Sequence, residues 1–115
     1  MAKLERYLRG DFDRVLAYLD RGVLEGSSSA SFEDGSDWRQ GGVRCAVRVY
    51  ERYSAIGGNR VSLNLTLVGE GESLFLSAIT SGGSQAMFFK LNTWGEESFL
   101  DRLRDLADGL QESGA

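Results

Sequence analysis

Two alternating segments in the middle of the chain constrain the fold more than any other feature. Apolar residues occupy every second position over 43–49 and again over 61–67, and polar or charged residues fill most of the positions between them. A period of two is typical of a half-buried strand. Because Gly57-Gly58-Asn59 lies between the segments, we expect an antiparallel hairpin. Its Val43–Val49 and Val61–Leu67 apolar parities are predicted to be buried together, facing the helices.

The remaining patterns complete an α+β domain. Further strands are predicted at 74–79, after a turn at 69–72, and at 86–91, after a turn at 81–84. A weak strand is predicted at 27–33, followed by a loop that contains Asp34-Gly35 and Gly41-Gly42. Residues 3–9 suit a strand or one helical turn, and we favour the strand. A helix capped by Asp11 is expected over 11–21, ending at Gly22, and a second begins at a capping box over 93–96 and carries an apolar stripe to Leu110.

These elements predict an antiparallel β-meander of four to six strands, with an N-proximal and a C-terminal helix packed on one face. Residues 1–115 are expected to form a single domain, with a loose tail at about 111–115. We find no repeat or linker that would divide the chain.

The composition excludes several classes of function. The net charge is −4, with 13 basic and 17 acidic residues, so we expect no nucleic-acid or anionic-membrane partner. The sequence contains no histidine, which removes histidine triads and histidine zinc sites. Cys45 is the only cysteine, so no internal disulfide is available, and its apolar parity predicts a buried, inert thiol. No apolar segment has the length of a signal peptide or membrane span, and we expect a cytoplasmic protein.

Five segments resemble stretches of a bacterial family of unknown function. They are GDFD at 10–13, RCAVRVYERY at 44–53, GGNRVSLN at 57–64, ITSGGSQ at 79–85 and GEESFL at 95–100. The resemblance covers nearly the whole chain. It implies a small, stand-alone, intracellular bacterial protein, and it brings no activity, ligand or catalytic residue with it.

The polar parity of the central strands is the first candidate site. Arginine and tyrosine at alternate positions could hold phosphate or carboxylate groups through bidentate hydrogen bonds, helped by the Gly82-Gly83 loop. The alternative is a solvated sheet face and a plain reversal, since any amphipathic strand produces this spacing. The candidate ligand-binding residues are Arg44, Arg48, Tyr50, Arg52, Arg60, Asn64, Ser81, Gly82, Gly83, Ser84 and Gln85.

A second candidate is an interface. Large apolar residues interrupt the polar parity of the later strands, and two short helices cannot readily cover both faces of the sheet. The candidate interface residues are Phe75, Ile79, Phe88 and Phe89. The alternative is that residues 24–42 fold over this face with Trp38 as anchor.

No motif predicts a catalytic residue, a metal site or a cofactor. We therefore expect a small binding or interaction module that is not an enzyme and that self-associates as a homodimer. The alternative is a small enzyme or a binder of a small anionic ligand that uses the Arg44/Arg48/Arg52 face.

Overall fold

The computed structural model describes residues 1–53, 60–82 and 99–110. In chain order the elements are β1 Ala2–Arg9, α1 Phe12–Glu25, β2 Ser31–Gln40, β3 Val43–Tyr53, β4 Arg60–Glu70, β5 Ser73–Gly82 and α2 over 99–110. The predicted fourth strand at 86–91 and the capping box at 93–96 lie outside the described residues. So does the tail at 111–115, and its looseness, like the single-domain assignment, stays a prediction.

The five strands form one antiparallel sheet in the order β1-β5-β4-β3-β2. Strands β2 to β5 follow one another as a meander, and β1 adds to the free edge of β5. Two-residue turns join β2 to β3 and β4 to β5, and in each the first residue, Gly41 or Gly71, has a φ of +59°, which favours glycine. The α+β prediction and the strand assignment for residues 3–9 are confirmed.

Both helices lie on the same side of the sheet, which we call the inner face. Arg44 and Arg52 share one face of β3, and their guanidinium groups stand over the rings of Phe12 in α1 and Phe99 in α2. The two helices also contact each other, since Tyr18 of α1 donates to the Leu106 carbonyl of α2 over 3.1 Å. Leucines of β4, β5 and α2 form a large part of the core between the helices and the sheet.

The first helix begins where the sequence predicts but ends later. The Asp11 carboxylate accepts a hydrogen bond from the Arg14 backbone N–H at 3.0 Å, which confirms the N-cap. The expected stop at Gly22 is wrong, because the helix continues to Glu25. Gly22 instead lets α2 approach closely: a Cβ there would lie 2.5 Å from the Leu106 methyl carbons.

Strand β2 is longer than predicted and starts later. Asp34-Gly35 was predicted to lie in a loop, but both residues lie inside β2 and pair with Val49 and Arg48. A register shift between Phe32 and Asp34 interrupts the ladder. Because residues 31–40 form an edge strand, this segment extends the sheet and does not fold over it.

The predicted parity of β3 is wrong. Ala46 pairs with Leu67 and Tyr50 with Leu63, so the arginine parity of β3 shares the inner face with the leucines of β4. Ala46 and Tyr50 are fully buried there, and the arginine stems cover the flanks of the helices. The parity of Val43, Cys45, Val47 and Val49 lies on the opposite side, the outer face, and is only half-buried. The parity predicted for β4 is confirmed, because Val61, Leu63, Leu65 and Leu67 are all buried.

Candidate functional site

The predicted arginine ladder does not present a shared cationic surface. The Arg44 guanidinium lies 2.8 Å from the Asp13 carboxylate and 4.2 Å from the centre of the Phe12 ring. That hydrogen bond holds the pKa of Asp13 below its ordinary value, although burial acts in the opposite direction. Arg44 is therefore already engaged by one carboxylate and one ring of α1.

The next two arginines of β3 are also engaged. Arg48 lies 3.0 Å from the Asp37 carboxylate of β2 and donates to the Ser36 and Val47 carbonyls at 3.2 and 2.9 Å. Arg52 stands 4.5 Å above the Phe99 ring, and burial lowers its pKa. An anion at this face would have to compete with carboxylates that the fold already supplies. Anion binding here stays a prediction, with these contacts weighing against it.

The other predicted ligand-binding residues are separated from this ladder. Asn64 lies on the outer face, where its side-chain oxygen accepts from the Thr66 hydroxyl at 3.2 Å. Arg60, at the start of β4, forms an ion pair with Glu51. The hydroxyl groups of Ser81 and Ser62 are hydrogen-bonded to each other over 2.8 Å. Gly82 is the last residue of β5. Gly83, Ser84 and Gln85 lie outside the described residues.

Tyr50, another member of the predicted site, makes a partly buried polar contact with α1. Its hydroxyl donates to the Asp20 carboxylate over 2.6 Å, and the Phe32 ring packs edge-on against it with centroids 6.0 Å apart. Burial, then the contact with Asp20, raises the pKa of Tyr50, so it remains a neutral donor. This hydrogen bond ties the middle of α1 to β3.

Replacing Tyr50 by phenylalanine should lower the free energy of unfolding by about 1.5 kcal/mol, because a short hydrogen bond to a charged acceptor is lost while the ring remains. Urea denaturation at fixed protein concentration would measure the change. Tyr53→Phe is the matched control, since Tyr53 is exposed at the end of β3. Equal stability of the Tyr50→Phe variant and the wild type would contradict a stabilising role for the Tyr50–Asp20 contact.

The outer face carries a line of apolar side chains that crosses all five strands. In the pairing register Tyr7 lies opposite Phe75, Phe75 opposite Val68, Val68 opposite Cys45, and Cys45 opposite Trp38. We call these five residues the apolar row. The Tyr7 and Phe75 rings are 5.0 Å apart, and Trp38 closes the row at the other edge.

Large parts of this surface are accessible. The exposed fractions are 80% for Tyr7, 55% for Trp38 and 40% for Ile79, which lies on the same face of β5. Both described helices pack on the inner face. Isolated exposed apolar residues are ordinary, but a continuous apolar patch is typical of an interface.

The described residues place no charge in the middle of the outer face. On β3, β4 and β5 the described outer positions hold only uncharged residues between the Glu51–Arg60 ion pair at one end and Glu70 at the other. Charged side chains lie instead at the edge, with Lys3, Glu5 and Arg9 on the outer side of β1. An uncharged centre with a charged rim is the usual arrangement of a protein interface.

The sequence identified part of this surface. Phe75 and Ile79 lie on the outer face, as expected of residues that interrupt a polar parity. Phe88 and Phe89 lie outside the described residues. Tyr7 and Val68 were missed, Trp38 was predicted only as the anchor of a covering segment, and Cys45 was wrongly assigned to the core; it is half-buried on the outer face. The only signal for these four is their alignment across strands, which requires the register.

The described residues contain no group of three or more Cys, Asp or Glu side chains placed to hold a metal ion. Among the helices in that part of the chain, none is both long enough and apolar enough to span a bilayer.

Comparison with known proteins places the chain in one family. The model of a family described as "Family of unknown function (DUF6054)" matches residues 1–111. No curated protein and no solved structure matches the chain significantly.

Proposed function

Since the chain belongs to the DUF6054 family, whose function is unknown, we propose from its geometry that it is a non-enzymatic interaction module that forms a homodimer through its outer face. The observation that carries this proposal is the apolar row, which joins Tyr7 to Trp38 across five strands. Burying that row removes aromatic and aliphatic surface from water, which is the main favourable term in association.

The size of the outer face suits a stable dimer. Five strands spaced by about 4.8 Å and eight residues long give a footprint of roughly 650 Å² per copy. Two copies would bury about 1,300 Å², which falls within the standard range of roughly 1,200–2,000 Å². A smaller patch would support only a weak contact, so the whole width of the sheet has to take part.

Symmetry makes a second copy a suitable occupant. In a two-fold dimer the same patch meets itself, and two sheets stacked face to face lie about 10 Å apart. The uncharged centre then meets an uncharged centre, and the outer-face charges of Lys3, Glu5 and Arg9 of β1 and of Asp34 of β2 lie on the edge strands at the rim of the contact. A single cysteine cannot form an internal disulfide, so the fold does not need an oxidising environment. This favours a protein that acts in a reducing compartment such as the bacterial cytoplasm.

Light scattering over a concentration series tests the proposal. We expect a mass near twice the 12.6 kDa of one chain at high micromolar concentration. Phe75→Glu should return the mass to that of a monomer with an unchanged circular dichroism spectrum, because it places a charge within the apolar row. Ala17→Glu adds the same charge to an exposed position of α1 and should leave the dimer intact.

Cys45 provides an independent measurement within the native sequence. Its alkylation should slow as the protein concentration rises and the apolar row becomes covered, and Phe75→Glu should abolish that dependence. A monomeric mass at every concentration would overturn the proposal. A dimer that resists Phe75→Glu would also overturn it, since the contact would then lie elsewhere.

A further inference from the structure

A cleft opens on the inner face between α1 and β2. The two helices do not cover β2, so its inner side and the flank of α1 border an open cleft of about 390 Å³. Leu16 and Leu24 of α1 line one wall, and Phe32 of β2, which is 49% exposed, lines the other. Leu16, Asp20 and Leu24 follow one another at intervals of four residues, so they form a single stripe along the helix.

Among the described residues, the charges around this cleft leave one carboxylate without a cation. Asp13 is paired with Arg44, and Arg48 is paired with Asp37. Asp20 also lines the cleft, and its carboxylate accepts a hydrogen bond from the neutral hydroxyl of Tyr50 at 2.6 Å. Within the described part of the chain no lysine or arginine forms an ion pair with Asp20. The cleft therefore combines apolar walls with one negative charge that no ion pair among residues 1–53, 60–82 and 99–110 balances.

We propose that this cleft binds a small organic cation with an apolar body, with Asp20 accepting a hydrogen bond from the ammonium group. The Tyr50 hydroxyl donates to one oxygen of the carboxylate and leaves the other oxygen able to accept from the ligand. Leu16, Leu24 and Phe32 would enclose the apolar body of the ligand. The volume falls in the range of small-molecule sites.

Arg48 also lines the cleft, and the Asp37 carboxylate, 3.0 Å away, offsets its positive charge. Two backbone carbonyls accept from the same guanidinium and hold it in place. An anionic ligand is disfavoured in the same cleft, since it would meet the Asp20 charge. A neutral apolar ligand would displace water from the Asp20 carboxylate and supply no hydrogen-bond donor in its place, which is unfavourable.

The test is a titration of the wild-type protein with 2-phenylethylamine and, separately, with 2-phenylethanol, followed by amide chemical shifts in NMR. The amine should shift resonances of α1 and β2, and the alcohol should bind at least about tenfold more weakly, because it lacks the charge-assisted hydrogen bond. Asp20→Asn keeps an acceptor for Tyr50 and should weaken amine binding by a similar factor. Glu5→Gln removes one negative charge from the outer face and should leave amine binding unchanged.

A second set of ligands separates the sources of such a cation. Nα-acetyl-lysine methylamide carries the same ammonium group on a lysine side chain. If it binds more tightly than phenylethylamine, the proposal of a small-amine ligand is overturned, and the cleft binds a lysine of another protein instead. Equal binding of amine and alcohol, or an amine affinity unchanged by Asp20→Asn, would overturn the role of Asp20. The monomeric Phe75→Glu variant should bind the amine normally, so this result is independent of the dimer.

Discussion

Replacing Leu103 by alanine is expected to lower the free energy of unfolding by about 2–5 kcal/mol, the usual range for a buried leucine. Leu103 lies in the middle of α2 with no solvent exposure, and Phe99, Leu100 and Leu106 of the same helix are also buried. Truncation removes apolar burial and leaves a cavity that the neighbouring side chains fill only in part. The free energy of unfolding of a domain of this size is about 5–15 kcal/mol, so the loss is large.

Urea denaturation would measure this change as a shift of the midpoint at constant slope. Protein concentration has to be held fixed, since self-association would contribute to the apparent stability. Asp105→Ala is the matched control, because Asp105 lies on the exposed side of the same helix and should change stability by less than about 0.5 kcal/mol. A loss below about 1 kcal/mol in the Leu103→Ala variant would mean that this side chain does not pack in the core.

The sequence predicts the existence of most described elements because their periodicities are strong. The leucine stripe of α2 and the alternation in β4 predict which residues are buried, and both predictions are confirmed. Strand β2 is different: its Asp, Gly and Ser residues favour turns, yet the ladder with β3 holds them extended. Pairing with a neighbour can override local propensity, and single-residue preferences do not contain that information.

The parity of β3 shows why the candidate site was harder to predict than the fold. A shift of one residue moves every side chain to the other face, and the choice depends on the paired register. Valines and arginines alternate along β3, and hydrophobicity alone predicted that the valine side of the strand is the buried one. The structure instead buries Tyr50 through its bond to Asp20 and accommodates Arg44 against Phe12, contacts that join residues about 30 positions apart. The apolar row and the cleft both follow from that register.

Adding a side chain at Gly69 would test the close packing that this register creates between β4 and α1. A Cβ at position 69 would lie 2.6 Å from a Leu74 methyl carbon and 2.8 Å from the Phe12 ring. The Phe12 ring is buried and lies beneath Arg44, so it has little room to move. We expect Gly69→Val to lower the free energy of unfolding by about 3 kcal/mol, at the upper end of the usual cost of overpacking a core.

A smaller side chain at position 12 should relieve part of that cost. Combining Gly69→Ala with Phe12→Leu should give a less destabilised protein than the two separate changes predict when added, because both act on one contact. Gly42→Ala is the control, since a Cβ at that turn position meets no atom within 4 Å. Urea midpoints of the wild type, the two single variants Gly69→Ala and Phe12→Leu, and their combination would measure the coupling, with Gly69→Val and Gly42→Ala measured alongside. Additive effects, or a Gly69→Val variant as stable as the wild type, would show that α1 does not pack onto β4 at this position.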